Sequence, residues 1–207
     1  MRDLAGMGRL VSQIMINASA ALLQADLTLA ELVIARGEEL ELQHHDARRR
    51  CRTLLTRYAP AATDLSAVVT ALNTVGDLQH MGHLAQCIAK IVRLTHPNLA
   101  IPEDVRTLIA QLSLLASGLA HQAATAIERL DPLASDRLIR ADDEVDALRR
   151  QLSCIALAEN WSHGPGPAAH VVLIGHYYER FADHAVAIAK QVCSLVIGMD
   201  SGVTSAH

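Results

Sequence analysis

Residues 78–92 return, in altered form, 100 positions later. Leu78, Met81, Ala85, Ile88 and Val92 place apolar side chains at alternating intervals of three and four, as do Tyr178, Phe181, Ala185, Ile188 and Val192. Ala85, Ile88, Ala89, Lys90 and Val92 are identical to their later counterparts. A second pair of segments corresponds at an offset of 105, with ELVIARGEELELQ from Glu31 lying over DRLIRADDEVDAL from Asp136. Two independent pairs at nearly one offset identify an internal duplication. The three–four alternation is the stripe of a helix packed in a bundle, so the repeated unit is helical.

Composition narrows what fills that bundle. Hydrophobic residues make up 51% of the 207 positions but aromatics only 2%. A core of Ala, Leu, Ile and Val suits helices at close range better than strands or an aromatic-lined pocket. The six prolines fall between periodic segments rather than inside them, as residues lacking an amide hydrogen should. Six helices are expected, at about 3–24, 26–58, 61–95, 103–130, 133–160 and 168–198, within the usual boundary error of about two to four residues. Asp26, Thr63 and Asp131 or Ser135 are the expected N-caps, and His163–Pro167 reads as a break before the last helix. The expected architecture is all-α: two tandem three-helix bundles related by a pseudo-two-fold axis, residues 1–98 and 99–207.

The net charge of −4 and the lack of a basic, aromatic-rich patch exclude nucleic acid as an expected partner. Four scattered cysteines without a C-x-x-C pair fit reduced thiols, and the first fifteen residues lack the pattern of a signal peptide. Residues 107–127 carry no charged side chain, but Gln111, Ser113, Ser117, His121, Gln122 and Thr125 interrupt the segment. A bundle helix is therefore expected there, not a membrane span.

The acids also repeat. Asp142 and Asp146 stand one turn apart in the fifth segment, and Glu179 and Asp183 do so in the sixth. Against the apolar stripe, Glu179 and Asp183 are expected away from the core, and Asp142 and Asp146 on a flank and outer side. Like charges at this spacing cost a helix a few tenths of a kcal/mol per pair. Such pairs are common on solvated faces, and a metal-free helical scaffold is one reading. The other is a bound cation, with Fe, Mn, Mg or Ca, and less strictly Zn, suited to four carboxylates. A ferritin-like di-metal oxidase would need an inward Glu-x-x-His on each of two helices, and only Glu41-Leu-Gln-His44 has that spacing.

Tyr178-Glu-Arg-Phe-Ala-Asp-His-Ala-Val-Ala-Ile-Ala189 resembles the last-helix motif of PhoU-type regulators of bacterial phosphate uptake. Ala59-Pro-Ala-Ala-Thr-Asp-Leu65 with Asp77-Leu-Gln-His-Met-Gly-His83 resembles its first-repeat version. Ala21–Asp26 to Val33-Ile34, and Ala141-Asp-Asp-Glu-Val-Asp146, are similar to the family's second and fifth helices. The resemblance covers essentially the whole chain and implies the fold already derived. It also implies a surface metal cluster in each repeat, built from D-x-x-x-D on one helix and E-x-x-x-D on another. The second half retains all four acids, Asp142, Asp146, Glu179 and Asp183. In the first half these positions hold Gly37, Glu41, Gln79 and His83, so that site is expected to be lost or reduced to weaker contributions from Glu41, His83 and Asp77. Glu41 with His83 is an option for one softer ion such as Zn. By the same resemblance the chain is not an enzyme. It is expected to be a cytoplasmic adaptor that joins a phosphate ABC transporter ATPase to a sensor histidine kinase and represses the phosphate-starvation response. It would reach the membrane through these proteins, and a homodimer is left open.

Overall fold

The structure, a computed structural model, describes residues 1–58 and 62–204, and side chains within 1–57 and 64–199. Six helices follow in order: α1 (Arg2–Gln24), α2 (Leu27–Tyr58), α3 (Ala62–Thr95), α4 (Glu103–Arg129), α5 (Ala134–Ala156) and α6 (Pro165–Thr204). No strand occurs among the described residues. The expected helices are all present. The departure that bears on the proline reading is at α6, which starts at Pro165 and takes in both prolines of the expected break. First-turn residues have no amide partner to lose, so proline is tolerated there.

Helix ends match across the repeat. Ala25 and Leu130, 105 positions apart, both adopt φ 51°, and each donates its N–H to the carbonyl four residues back, at Ala21 and Ala126. Asp26 caps α2, its Oδ1 accepting from the Leu29 amide at 2.9 Å. Asp131 makes a tighter turn instead, accepting from Leu133 N two residues on, while Ser135 lies inside α5. Thr63 lies outside the residues whose side chains are described.

Helix packing follows the duplication. α2 packs on α1 and α3, and α5 packs on α4 and α6, while α1 meets α4 and α3 meets α6 across the middle. Exchanging α1 with α4, α2 with α5 and α3 with α6 leaves this pattern unchanged. One apolar core runs through both halves, from Val11 and Met15 of α1 to Ile188 and Val192 of α6. On the pseudo-axis, Ser12 Oγ donates to the Ser117 carbonyl at 3.1 Å, joining positions that are themselves 105 apart.

Residues 107–127 lie in α4 with Ile109, Leu112, Ala116, Leu119, Ala120 and Ala123 buried, so the segment packs into the bundle as expected. By length and composition, the described helix able to cross a membrane is instead Pro165–Met199, with a mean hydropathy of 1.3. In this fold it packs against α3, α4 and α5.

The α1–α4 crossing depends on a missing side chain. A Cβ on Gly8 would stand 2.9 Å from Ala124 Cβ and 3.2 Å from its Cα. Backbone is on the far side, so neither helix can yield locally. Gly8→Val is expected to lower the unfolding free energy by about 1–3 kcal/mol, read from urea denaturation. The gain in intrinsic helix propensity over glycine offsets only a few tenths of a kcal/mol of that.

Candidate metal sites

On α5, Leu138, Val145, Leu152 and Ala156 are buried, and Asp142 and Arg149 fall on the same three–four stripe. On α2 the equivalent stripe is Val33, Gly37, Leu40, His44 and Cys51, all buried. Polar side chains therefore occupy core-facing positions in both repeats. Three buried polar atoms lack a hydrogen-bond partner among the described residues, and all three belong to these positions: Asp142 Oδ1, Arg149 Nε and His44 Nδ1.

The acids of the second half lie along the α5–α6 contact. Burial pushes the Asp142 carboxyl up to about 6, reinforced by the negative charges of Asp183, Asp146 and Asp143 and opposed by Lys190. Glu179 is only 19% exposed, with Oε1 at 2.9 Å from Arg149 Nη2 and Oε2 at 3.1 Å from His176 Nδ1. Its expected place away from the core is thus corrected: the stripe faces α3 and α4, but α5 covers the neighbouring flank. Asp142, expected on a flank, is on the stripe itself, between Leu138 and Val145. Asp183 meets Arg180 at 3.4 Å and Asp146 meets Arg150 at 3.8 Å. Three of the four carboxylates pair with neighbouring arginines, whereas Asp142 makes no ion pair among the described residues and feels Lys190 only at longer range. Asp142 Oδ1 is left as an orphaned buried oxygen, but among the described residues these four carboxylates are not gathered into one group of ligand atoms; the group that is gathered is Glu41, His44 and His45.

The first half is arranged differently. A Cβ on Gly37 would fall 2.1 Å from Gln86 Nε2, because the Gln86 side chain crosses that space to donate to the Ile34 carbonyl at 2.9 Å. Gln86 thus fills the place where the second half carries Asp142. Gln79 Nε2 donates to Glu41 Oε2 at 2.8 Å. Asp77 is engaged with α6, its Oδ1 at 2.9 Å from His184 Nδ1 and its Oδ2 accepting from Gln191 Nε2 at 2.7 Å. His83 Nε2 lies 3.6 Å from Cys87 Sγ. The histidines beside Glu41 are His44, weighed from the sequence only as a ferritin-like Glu-x-x-His pair, and His45, which sequence reasoning did not select. Their spacing of three and four from Glu41 was the available signal. Arg149 was also missed, since a lone arginine on a helix carries no motif.

Asp142 gives a test of this environment. Its carboxyl binds a proton more tightly folded than unfolded, so its contribution is favourable below about 3.8 and is lost as pH rises towards about 6. In metal-free protein, Asp142→Asn is expected to be neutral near pH 4 and stabilising near pH 7. Discounted for partial solvation, the gain is on the order of 1 kcal/mol. Urea melts of both proteins across that range would check it.

Comparison with known proteins agrees with the duplicated architecture. The family described as "PhoU domain" matches residues 4–92 and 109–192. The chain is 40% identical over 176 residues to the phosphate-specific transport system accessory protein PhoU homolog 2 of Mycobacterium tuberculosis, covering 85% of this chain and 83% of that one. The PhoU homolog 1 of Mycobacterium leprae is 39% identical, over 85% and 79%. The crystal structure of PhoU from Pseudomonas aeruginosa superposes with a TM-score of 0.83 at 23% identity, covering 94% of each chain. That last likeness concerns the fold.

Proposed function

This chain belongs to the PhoU family and is a phosphate-transport accessory protein of that type, and from this premise we propose that it acts as a negative regulator of the phosphate-starvation response. It works as a non-catalytic adaptor at the cytoplasmic face of the membrane, between the ATPase of a phosphate ABC transporter and a sensor histidine kinase. The observation that carries this reading is the family match in both halves, with relatives named as transport-system accessory proteins. The residues are compatible with an adaptor: the sequence has no Gly-rich phosphate loop and no G-x-S-x-G elbow. The two units are the repeats 1–98 and 99–207, each built from three helices.

The second repeat carries the main metal site, formed by Asp142, Asp146, Glu179 and Asp183. A bound divalent or trivalent ion such as Fe, Mn or Mg supplies positive charge that relieves the repulsion among these carboxylates. Arg149 and Arg180 pair with Glu179 and Asp183. Replacing both Glu179 and Asp183 by Ala should abolish most bound Fe or Mn, as read by elemental analysis of the purified protein. Unchanged metal content would remove the site from the reading.

For the regulatory role, deletion of the gene should raise transcripts for phosphate uptake in phosphate-rich medium. Tagged protein should retain its own transporter ATPase and sensor kinase in a pull-down. Unchanged transcripts in a strain without a second copy would count against it.

A further inference from the structure

Glu41, His44 and His45 on α2 each offer one ligand atom, and these atoms lie within 4.8 Å of one another. Steps of three and four residues put both histidines one turn beyond Glu41 on its side of the helix. Glu41 Oε1 is 3.7 Å from His44 Nδ1 and 3.4 Å from His45 Nε2. A tetrahedral ion with bonds of about 2.0–2.1 Å holds its ligand atoms about 3.3–3.4 Å apart. The two Glu41 distances are within a few tenths of an ångström of that spacing, and the ligand atoms of all three residues lie within 4.8 Å of one another.

Two further observations separate this group from ordinary surface charge. His44 is 7% exposed, on the buried stripe of α2, and its Nδ1 has no hydrogen-bond partner. A buried ring nitrogen left unpaired is costly, and an ion at that point removes the cost. Gln79 fixes Glu41 through Oε2, leaving Oε1 directed at the two imidazoles. Such a bond, one step removed from the ion, is how ligand carboxylates are oriented. His45 is 70% exposed at its side chain and provides the route of entry.

We propose that Glu41, His44 and His45 form a separate site for a single borderline divalent ion, with zinc as its type. Two imidazole nitrogens and one carboxylate oxygen make up the ligand set of an open zinc site, with the fourth position left to water. The α5–α6 acids supply only oxygen and select harder ions. The two repeats thus hold different metals, the first through ligands of α2 alone and the second through acids of α5 and α6. The site does not depend on the α5–α6 acids.

The test uses the full chain, stripped of metal by a chelator, in a Glu179→Ala/Asp183→Ala background that removes the other cluster. Zn(II) is titrated by calorimetry, and Co(II) serves as the optical probe. One Zn(II) per chain should bind, and Co(II) should give the visible absorption of a four-coordinate centre. His45→Ala, at an exposed position, should weaken Zn(II) by at least about 100-fold with helicity unchanged by circular dichroism. Glu41→Gln should behave similarly, and Gln79→Ala should cost about 10-fold. Absence of Zn(II) binding in this background, or equal affinity with and without His45, overturns the proposal. The α5–α6 reading fails on a different readout, Fe or Mn content that survives the background substitutions.

Discussion

Gly8 lets the α1 backbone come into van der Waals contact with Ala124 of α4, and the rest of the molecule is arranged around that approach. With aromatics at 2% of the chain, the core gains little from single large side chains. It gains instead from many small ones at short interhelical distance, where dispersion contacts accumulate. The same crossing places Ser12 against the Ser117 carbonyl, so a polar bond sits on the pseudo-axis without leaving a buried donor unpaired. α3 and α6 complete the central layer, and α2 and α5 cover its two flanks.

This arrangement sets where polar chemistry can occur. A flanking helix buries one stripe and exposes the remainder, so a charged residue on the stripe edge is half-desolvated and faces its neighbour helix. Asp142 and Arg149 occupy such positions on α5, and Gly37 and His44 occupy the equivalent ones on α2. The outcome differs with the side chain. An aspartate there is held near pH 6 by burial and its acidic neighbours. A glycine there admits Gln86, which caps the Ile34 carbonyl. One inherited framework thereby carries two different surfaces.

The central layer has its own asymmetry. Tyr178 is fully buried and its hydroxyl lies 2.6 Å from Ser19 Oγ, where burial pushes the phenol up to about 12. The corresponding position in α3 is Leu78, also buried. Across the α3–α6 contact, Asp77 joins His184 and Gln191, and Gln191 also accepts from Thr74. This network replaces a possible contribution of Asp77 to a metal site with a bond between the repeats.

The sequence alone determined the number of helices, their order and the duplication, because these follow from three–four periodicity, proline placement and self-similarity at 100 to 105 residues. It also marked Asp142, Asp146, Glu179 and Asp183, since paired acids one turn apart are visible without coordinates. Which flank of a helix a neighbour covers was decided only by tertiary packing. A single helix's periodicity locates its core stripe but not the element packed beside that stripe, so Glu179 and Asp142 were placed too far outward. The partners of Glu41 were settled in the same way. His83, equivalent by repeat, lies beside Cys87 on α3, whereas His44 and His45 stand within reach on α2 itself. Equivalence between repeats fixes backbone positions, but side-chain length and local crowding decide which atoms meet.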